Sequence, residues 1–194
     1  MRLLMIGPPG SGKGTQAVRI GAHFGVEHIS SGDLLRQHVA DGTSIGRAVD
    51  DCMKRGDLVP DGIVMDMLRR PVEAASRRGG YVLDGFPRTV EQAEAAYLVA
   101  RELNAAVRIA LHLEVSHAEL VRRMHARGRQ AGRADDTDEV INHRLEVFTE
   151  RTAPLIDYYA RRECLVRVDG DRPVDEVTTA AIAGLEQARR EIGM

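Results

Sequence analysis

Gly7-Pro8-Pro9-Gly10-Ser11-Gly12-Lys13-Gly14-Thr15 follows the apolar run Leu3-Leu4-Met5-Ile6 and precedes a segment of helical periodicity. The order reads as a strand, a phosphate loop and a helix. Gly7, Gly12 and Lys13 satisfy the GxxxxGK part of the P-loop pattern, whose glycines let consecutive backbone N–H groups turn inward around phosphate oxygens at a helix N-terminus. The loop is an anion cradle with a cation, Lys13, at its rim. A chance glycine-rich turn would meet the same pattern, but it would explain neither the strand before nor the helix after. One departure is visible: Gly14 stands where the pattern wants Ser or Thr, and Thr15 comes one place later.

The rest of the composition bounds the reading. A chain of 194 residues suits one domain with a full core, and a formal charge of −2 gives no global basic field for nucleic acid. Cationic charge must act locally. Lys13 and Lys54 are the two lysines among 27 basic residues, so a lysine inside the phosphate loop is chemically pointed: a compact ammonium does there what a guanidinium fork would not. Cys52 and Cys164 lie far apart, which suggests neither a disulfide framework nor a thiolate metal site. The seven histidines show no metal-binding spacing. With no leader segment and no apolar run of membrane-spanning length, a cytoplasmic protein without membrane partners is expected.

Along the chain, helical periodicity from Thr15 to Phe24 ends at Gly25, and Val26 to Ile29 is a second strand candidate. Ser30-Ser31-Gly32-Asp33 supplies start chemistry for a helix over 34–40. Ser44 is placed to cap the next helix, whose Ile45, Ala48, Val49, Cys52 and Met53 share one face. No strand separates these two helices, so they read as an insertion. A helix from Asp61 is expected to stop at Arg70, before Pro71. Tyr81-Val82-Leu83 is a third strand ending in Asp84-Gly85-Phe86-Pro87-Arg88-Thr89, and Thr89 opens a helix. Val107 to Val115 is a fourth strand. Ser116-His117-Ala118-Glu119 reads as a capping box for a helix to about Ala126. Arg127 to Asp136 lacks periodicity and carries three arginines, Val140 to Tyr159 reads as one long helix, Cys164 to Val168 as a fifth strand, and Val174 to Ile192 as the last helix.

Strands that are nearly continuous apolar runs, alternating with helices, predict a parallel sheet covered on both faces. Ligands bind at the carboxyl ends of such strands, so the loops after Ile6 and Leu83 converge on one site.

Together Gly7 to Thr15, Ile29 to Arg36, Asp57-Leu58-Val59-Pro60, Asp84 to Thr89, Gly132-Arg133-Ala134-Asp135-Asp136 and Val168-Asp169-Gly170 resemble the adenylate kinase family over essentially the whole chain. The resemblance implies a P-loop NTPase-type α/β fold of three layers around a five-stranded parallel sheet. It divides the chain into a core (1–29, 60–126, 138–194), a helical nucleoside-monophosphate insertion (30–59) and a lid (127–137) of the short bacterial form, without zinc. The implied reaction is MgATP + AMP ⇌ 2 ADP under a closing lid, by a monomer whose partners are ATP, AMP and ADP. An acceptor phosphate is already ionised near neutral pH, so the reaction needs alignment, charge and exclusion of water rather than a general base.

Residue by residue, Gly10, Ser11, Gly12, Lys13, Gly14 and Thr15 resemble the ATP phosphate loop, Thr15 lying near magnesium. Asp84 resembles the carboxylate that holds Mg²⁺ through water. Ser31, Arg36, Asp57, Leu58, Val59, Gly85, Phe86, Pro87, Arg88 and Gln92 resemble the AMP site. Ser31 replaces the more frequent threonine, and Thr89-x-x-Gln92 is also a capping box. Arg123 resembles the residue that stacks on the ATP base, with an exposed helical arginine as the alternative, and Arg172 resembles a position whose backbone meets adenine. Arg127 resembles the ATP-phosphate contact, while Arg133 and Arg144 resemble the pair that clamps the transferred group; Arg144 also suits a side chain snorkelling over the core. Arg129 is the third arginine of that stretch. A uridylate–cytidylate kinase shares the P-loop and Gly85-Phe86-Pro87-Arg88, but Thr89 and the Ser31 hydroxyl point to AMP. A silent nucleotide-binding module would be expected to lack one of these cations, and none is missing.

Overall fold

The structure, a computed structural model, describes residues 1–131 and 137–193, and of 127–131 the backbone alone. Five strands, β1 (Arg2–Ile6), β2 (Glu27–Ser30), β3 (Tyr81–Asp84), β4 (Ile109–Glu114) and β5 (Leu165–Asp169), form one sheet in the order β2-β3-β1-β4-β5. All four pairings are parallel, as the buried apolar strands require. The register sets Met5 and Ser30 beside Asp84, and Ile6 beside His112. Every strand therefore delivers its C-terminal loop to the same edge. The chain leaves β1 toward β2 and leaves β3 toward β4, so the order reverses between β1 and β3, and that crevice is where an open α/β sheet binds ligands.

Alternation along β1 explains the layers. Leu3 and Met5 face one way, into a core with Ala17 and Ile20 of α1 (Lys13–Phe24) and Val177, Ala181 and Leu185 of α9 (Val174–Glu191). Leu4 and Ile6 face the other way, against Ala93 of α5 (Val90–Glu102) and Leu155 and Tyr158 of α8 (Pro154–Ala160). A third cluster joins Tyr81 and Leu83 to α2 (Ser31–Ala40), α3 (Ser44–Arg55) and α4 (Asp61–Arg77). A fourth holds α6 (His117–Ala131) to α7 (Asp138–Val147) through Leu120, Met124, Ile141 and Leu145.

Five local expectations are corrected. Thr43, not Ser44, caps α3, its hydroxyl accepting from Gly46 N–H at 3.0 Å. Helix α4 passes through Pro71 to Arg77, because Val64, Leu68 and Ala75 bury one face on both sides of the missing N–H. Helix α6 runs past Ala126 to Ala131. Ser116 and Glu119 form no capping box: Ser116 N–H donates to Asp171, and Glu119 accepts from Arg122 and Arg123. The long helix expected over 140–159 is α7, a π-helical turn at Phe148–Thr152 and α8. Ala153 N–H reaches back five residues to Phe148 C=O at 2.8 Å. Pro154 follows it, where a missing N–H costs least at the start of a new helix.

Candidate active site

The loop after β1 closes on its own backbone. Ser11 N–H donates to Pro8 C=O at 3.1 Å, and Gly10 and Gly12 take φ of +82° and +91°, which a side chain would strain. Helix α1 then begins at Lys13 with no side-chain cap and no acid in its first turn. Its first N–H groups have no side-chain acceptor, and the residues that carry them line the cleft at the carboxyl edge of the sheet, the arrangement that receives an anion. Ser11 Oγ is buried without a hydrogen-bond partner among the described residues and adds a polar group to this cradle. Lys13 Nζ donates to Gly7 and Pro8 carbonyls at 2.7 and 3.0 Å, which holds the ammonium over the loop.

The loop after β3 supplies the opposite wall. Gly85 adopts φ +86°, and a Cβ there would meet Ser31 Oγ at 2.5 Å, so the backbone passes tightly over the start of α2. The Phe86–Pro87 peptide is cis. Arg88 Nε donates to Gly85 C=O at 2.9 Å, and Arg88 N–H to Gln92 Oε1 at 2.7 Å. Gln92 is buried; its N–H is capped by Thr89, and its amide nitrogen donates to Asp61 at 2.6 Å. It thus serves as a cap and lines the recess as well. Burial and repulsion from Arg144, with Arg36 adding to it, lower the Arg88 pKa, while Asp84 opposes them. Three guanidiniums gathered at one point favour an anion between them.

Two recesses result. One, between α2, α3 and the β3 loop, is lined by Ser31, Arg36, the Gly56–Val59 backbone turn, Gly85, Phe86, Arg88, Gln92 and Arg144. The other is a cleft of about 1060 Å³ lined by Gly10 to Thr15, Asp84, Arg123 and Arg172. Gly32, Arg36, Gly85, Arg88 and Arg144 line both. Of the expected acceptor residues, Pro87 lies elsewhere: it lines a pocket beneath the phosphate loop and an apolar cavity behind the sheet. Arg133 and the side chains of Arg127 and Arg129 lie outside the described residues.

Other side chains at the rim are fixed in place. Arg123 is half-buried, with Nε on Glu119 at 2.6 Å and Nη2 on Gly170 C=O at 2.8 Å, and so ties α6 to the loop after β5. Arg172 is paired with Asp169 at 2.9 Å. Hydrogen bonds from Arg122 and Arg123 hold the Glu119 carboxyl down to about 2. The i, i+3 and i, i+4 spacing of Glu119, Arg122 and Arg123 was the signal for that role. Sequence spacing offers no equivalent for His143, whose Nε2 lies 2.8 Å from Asp57 Oδ1 and joins α7 to the turn after α3. Arg55 and His143 together lower the Asp57 pKa. His112, beneath the phosphate loop, has its pKa lowered by burial, which keeps the imidazole neutral near Lys13.

For a divalent cation, no cluster of three or more His, Cys, Asp or Glu side chains exists among the described residues. Asp84, whose Oδ2 lies 3.7 Å from where a Cβ on Gly14 would stand, shares the cleft with Thr15. One carboxylate and one hydroxyl fit Mg²⁺, which keeps its waters and takes substrate phosphates as ligands.

A family model described as adenylate kinase matches residues 5–164. The chain is 42% identical to an adenylate kinase of Kocuria rhizophila, covering 96% of this chain and 99% of that one. It is 46% identical to an adenylate kinase of Synechococcus sp. strain RCC307, over 94% and 98% of the two chains. With an adenylate kinase of Acidothermus cellulolyticus the identity is 41%, over 98% and 100%.

Proposed function

Since the chain belongs to the adenylate kinase family and is a nucleoside monophosphate kinase, we propose that its cleft holds MgATP and its smaller recess AMP, a phosphoryl group passing between them to give two ADP. The observation that carries this is the junction: the two recesses meet on Arg36, Arg88 and Arg144. A group in flight would lie where both sites present guanidinium donors.

On this reading the ATP phosphates occupy the N–H groups of Gly10 to Thr15, and Lys13 exchanges its carbonyl partners for phosphate oxygens as charge moves to the transferred group. Arg36, near the exposed end of the recess and paired with Asp33, holds the AMP phosphate. Arg88, fixed by Gly85 and Gln92, meets both that phosphate and the group in flight. Gln92, Ser31 and the Asp57–Val59 backbone face the AMP base and sugar. Asp84 and Thr15 would hold Mg²⁺, which supplies charge neutralisation along the phosphates. Arg123 and Arg172 border the ATP base. The same reading assigns 30–59 to an acceptor-binding arm and 127–137 to a lid that brings Arg127 and Arg133 to the phosphoryl group when both nucleotides are present, excluding water.

An acceptor panel tests the proposal. ADP formation from MgATP should be fastest with AMP and at least tenfold slower in kcat/KM with UMP, CMP or GMP. Equal rates with UMP or CMP would reassign the recess to a pyrimidine acceptor.

A further inference from the structure

Behind the sheet, on the side away from the nucleotide cleft, lies a cavity of about 400 Å³. It is framed by α4, α5 and α8 over β3. Its existence follows from the sequence: Ala96 and Ala100, one turn apart on α5, present methyl groups where the facing Leu68, Val72, Val107 and Tyr159 leave space. Its volume is within the range of about 300–1,000 Å³ typical of small-molecule sites, and its wall is mainly apolar. The cavity has no lining residue in common with the phosphate-loop cleft and meets the acceptor recess through Phe86 alone.

The rim is cationic. Arg69 and Arg162 are exposed there with Asp66, the one acid among the lining residues, while Glu94 lies within electrostatic reach of Tyr158. Arg162 is held in place, its guanidinium 3.5 Å from the Tyr158 ring centroid and Nη1 donating to Tyr158 C=O at 3.1 Å. Neither arginine forms an ion pair with a carboxylate among the described residues. An apolar chamber with two guanidiniums at its mouth, neither of them on a carboxylate among the described residues, matches a molecule with a hydrocarbon body and one anionic end.

We propose that this cavity is a binding site for a medium-chain carboxylate, the chain lying along Ala96 and Ala100 and the carboxylate meeting Arg69 and Arg162. Burying each further methylene tightens binding about threefold to fourfold until the chamber is full. The anionic end adds a preference over the uncharged alcohol, and that preference shrinks with salt because the arginines are exposed.

Calorimetric titration of the full chain with hexanoate, octanoate, decanoate and decanol, each below its aggregation threshold, tests this. Affinity should rise with chain length by about the stated factor, and decanoate should bind at least fivefold tighter than decanol in low salt. Arg162→Gln should remove that preference, and Ala100→Phe, which fills the chamber, should abolish binding. A bisubstrate mimic joining ATP to AMP should not displace decanoate. Absence of decanoate binding to the wild-type chain, equal affinity for decanol, or displacement by the mimic would each overturn the proposal. Should Ala100→Phe fail to fold, Ala96→Val applies the same filling test with two added methyl groups: unchanged decanoate affinity overturns the proposal and weakened affinity supports it.

Discussion

Lys13 places the one ammonium of the phosphate loop over its carbonyls. Its ammonium sits on the rim of the loop and donates to the Gly7 and Pro8 carbonyls of that loop rather than packing in a core, so Lys13→Ala should leave the circular dichroism spectrum and melting temperature near wild type. Turnover should fall by on the order of 10² to 10³ or more, the cost of one preorganised charge at the reacting centre. Wild-type-like turnover in the folded variant would remove the phosphate loop from the mechanism. Arg36 and Arg88 divide differently. Arg36 pairs with exposed Asp33 and is assigned to ground-state binding, whereas Arg88 is locked at the strand end. Arg36→Ala should raise the KM for AMP, and Arg88→Ala should lower kcat strongly. AMP titrations in which the two variants behave alike would refute that division. Glu119 gives a pH signature. A carboxyl that ordinarily titrates at 4.5 is held at about 2 in the folded chain, so its stabilising contribution is full above the ordinary value and is lost as pH falls from there toward 2. Glu119→Gln should therefore show a shallower fall in melting temperature than wild type between about pH 5 and pH 3. Much at this scale was legible beforehand, because phosphate chemistry demands particular residue types in contiguous loops. His143 on Asp57 and Arg123 on Gly170 were not: each contact joins segments far apart in sequence, and no spacing rule connects them.

At the scale of elements, the acceptor arm depends on how closely α2 and α3 approach. Gly46 lies inside α3, where alanine would ordinarily stabilise a helix by about 1 kcal/mol. Here a Cβ would stand 2.0 Å from His38 C=O, closer than any real contact, so the sign reverses. Gly46→Ala should cost about 1–3 kcal/mol of stability by overpacking, read as a lower melting temperature, and should raise the KM for AMP because the arm shifts. An equal or higher melting temperature would show that the two helices are not packed this way. Element order, strand identity and the parallel sheet were readable from apolar runs alternating with helical periods. The errors fell where tertiary packing outweighed local preference. Pro71 reads as a stop, yet the buried faces on both sides of it carry α4 through. The π-helical turn before Pro154 changes helix phase without changing composition, so periodicity alone joined three segments into one.

For the whole molecule, parallel strands place five loops on one edge, and the reversal between β1 and β3 opens the crevice that the phosphate loop and the Asp84–Arg88 loop enclose. The sheet thus explains why two recesses built from distant segments share Arg36, Arg88 and Arg144. A bisubstrate mimic joining ATP to AMP through five phosphates measures that shared junction directly by calorimetric titration. One mimic should bind per chain, at least about 10²-fold tighter than ATP or AMP alone because the second site is engaged within the same complex, with most of that gain lost in Arg88→Ala. A mimic that binds no tighter than ATP, or two mimics per chain, would mean that the recesses do not meet at Arg36, Arg88 and Arg144.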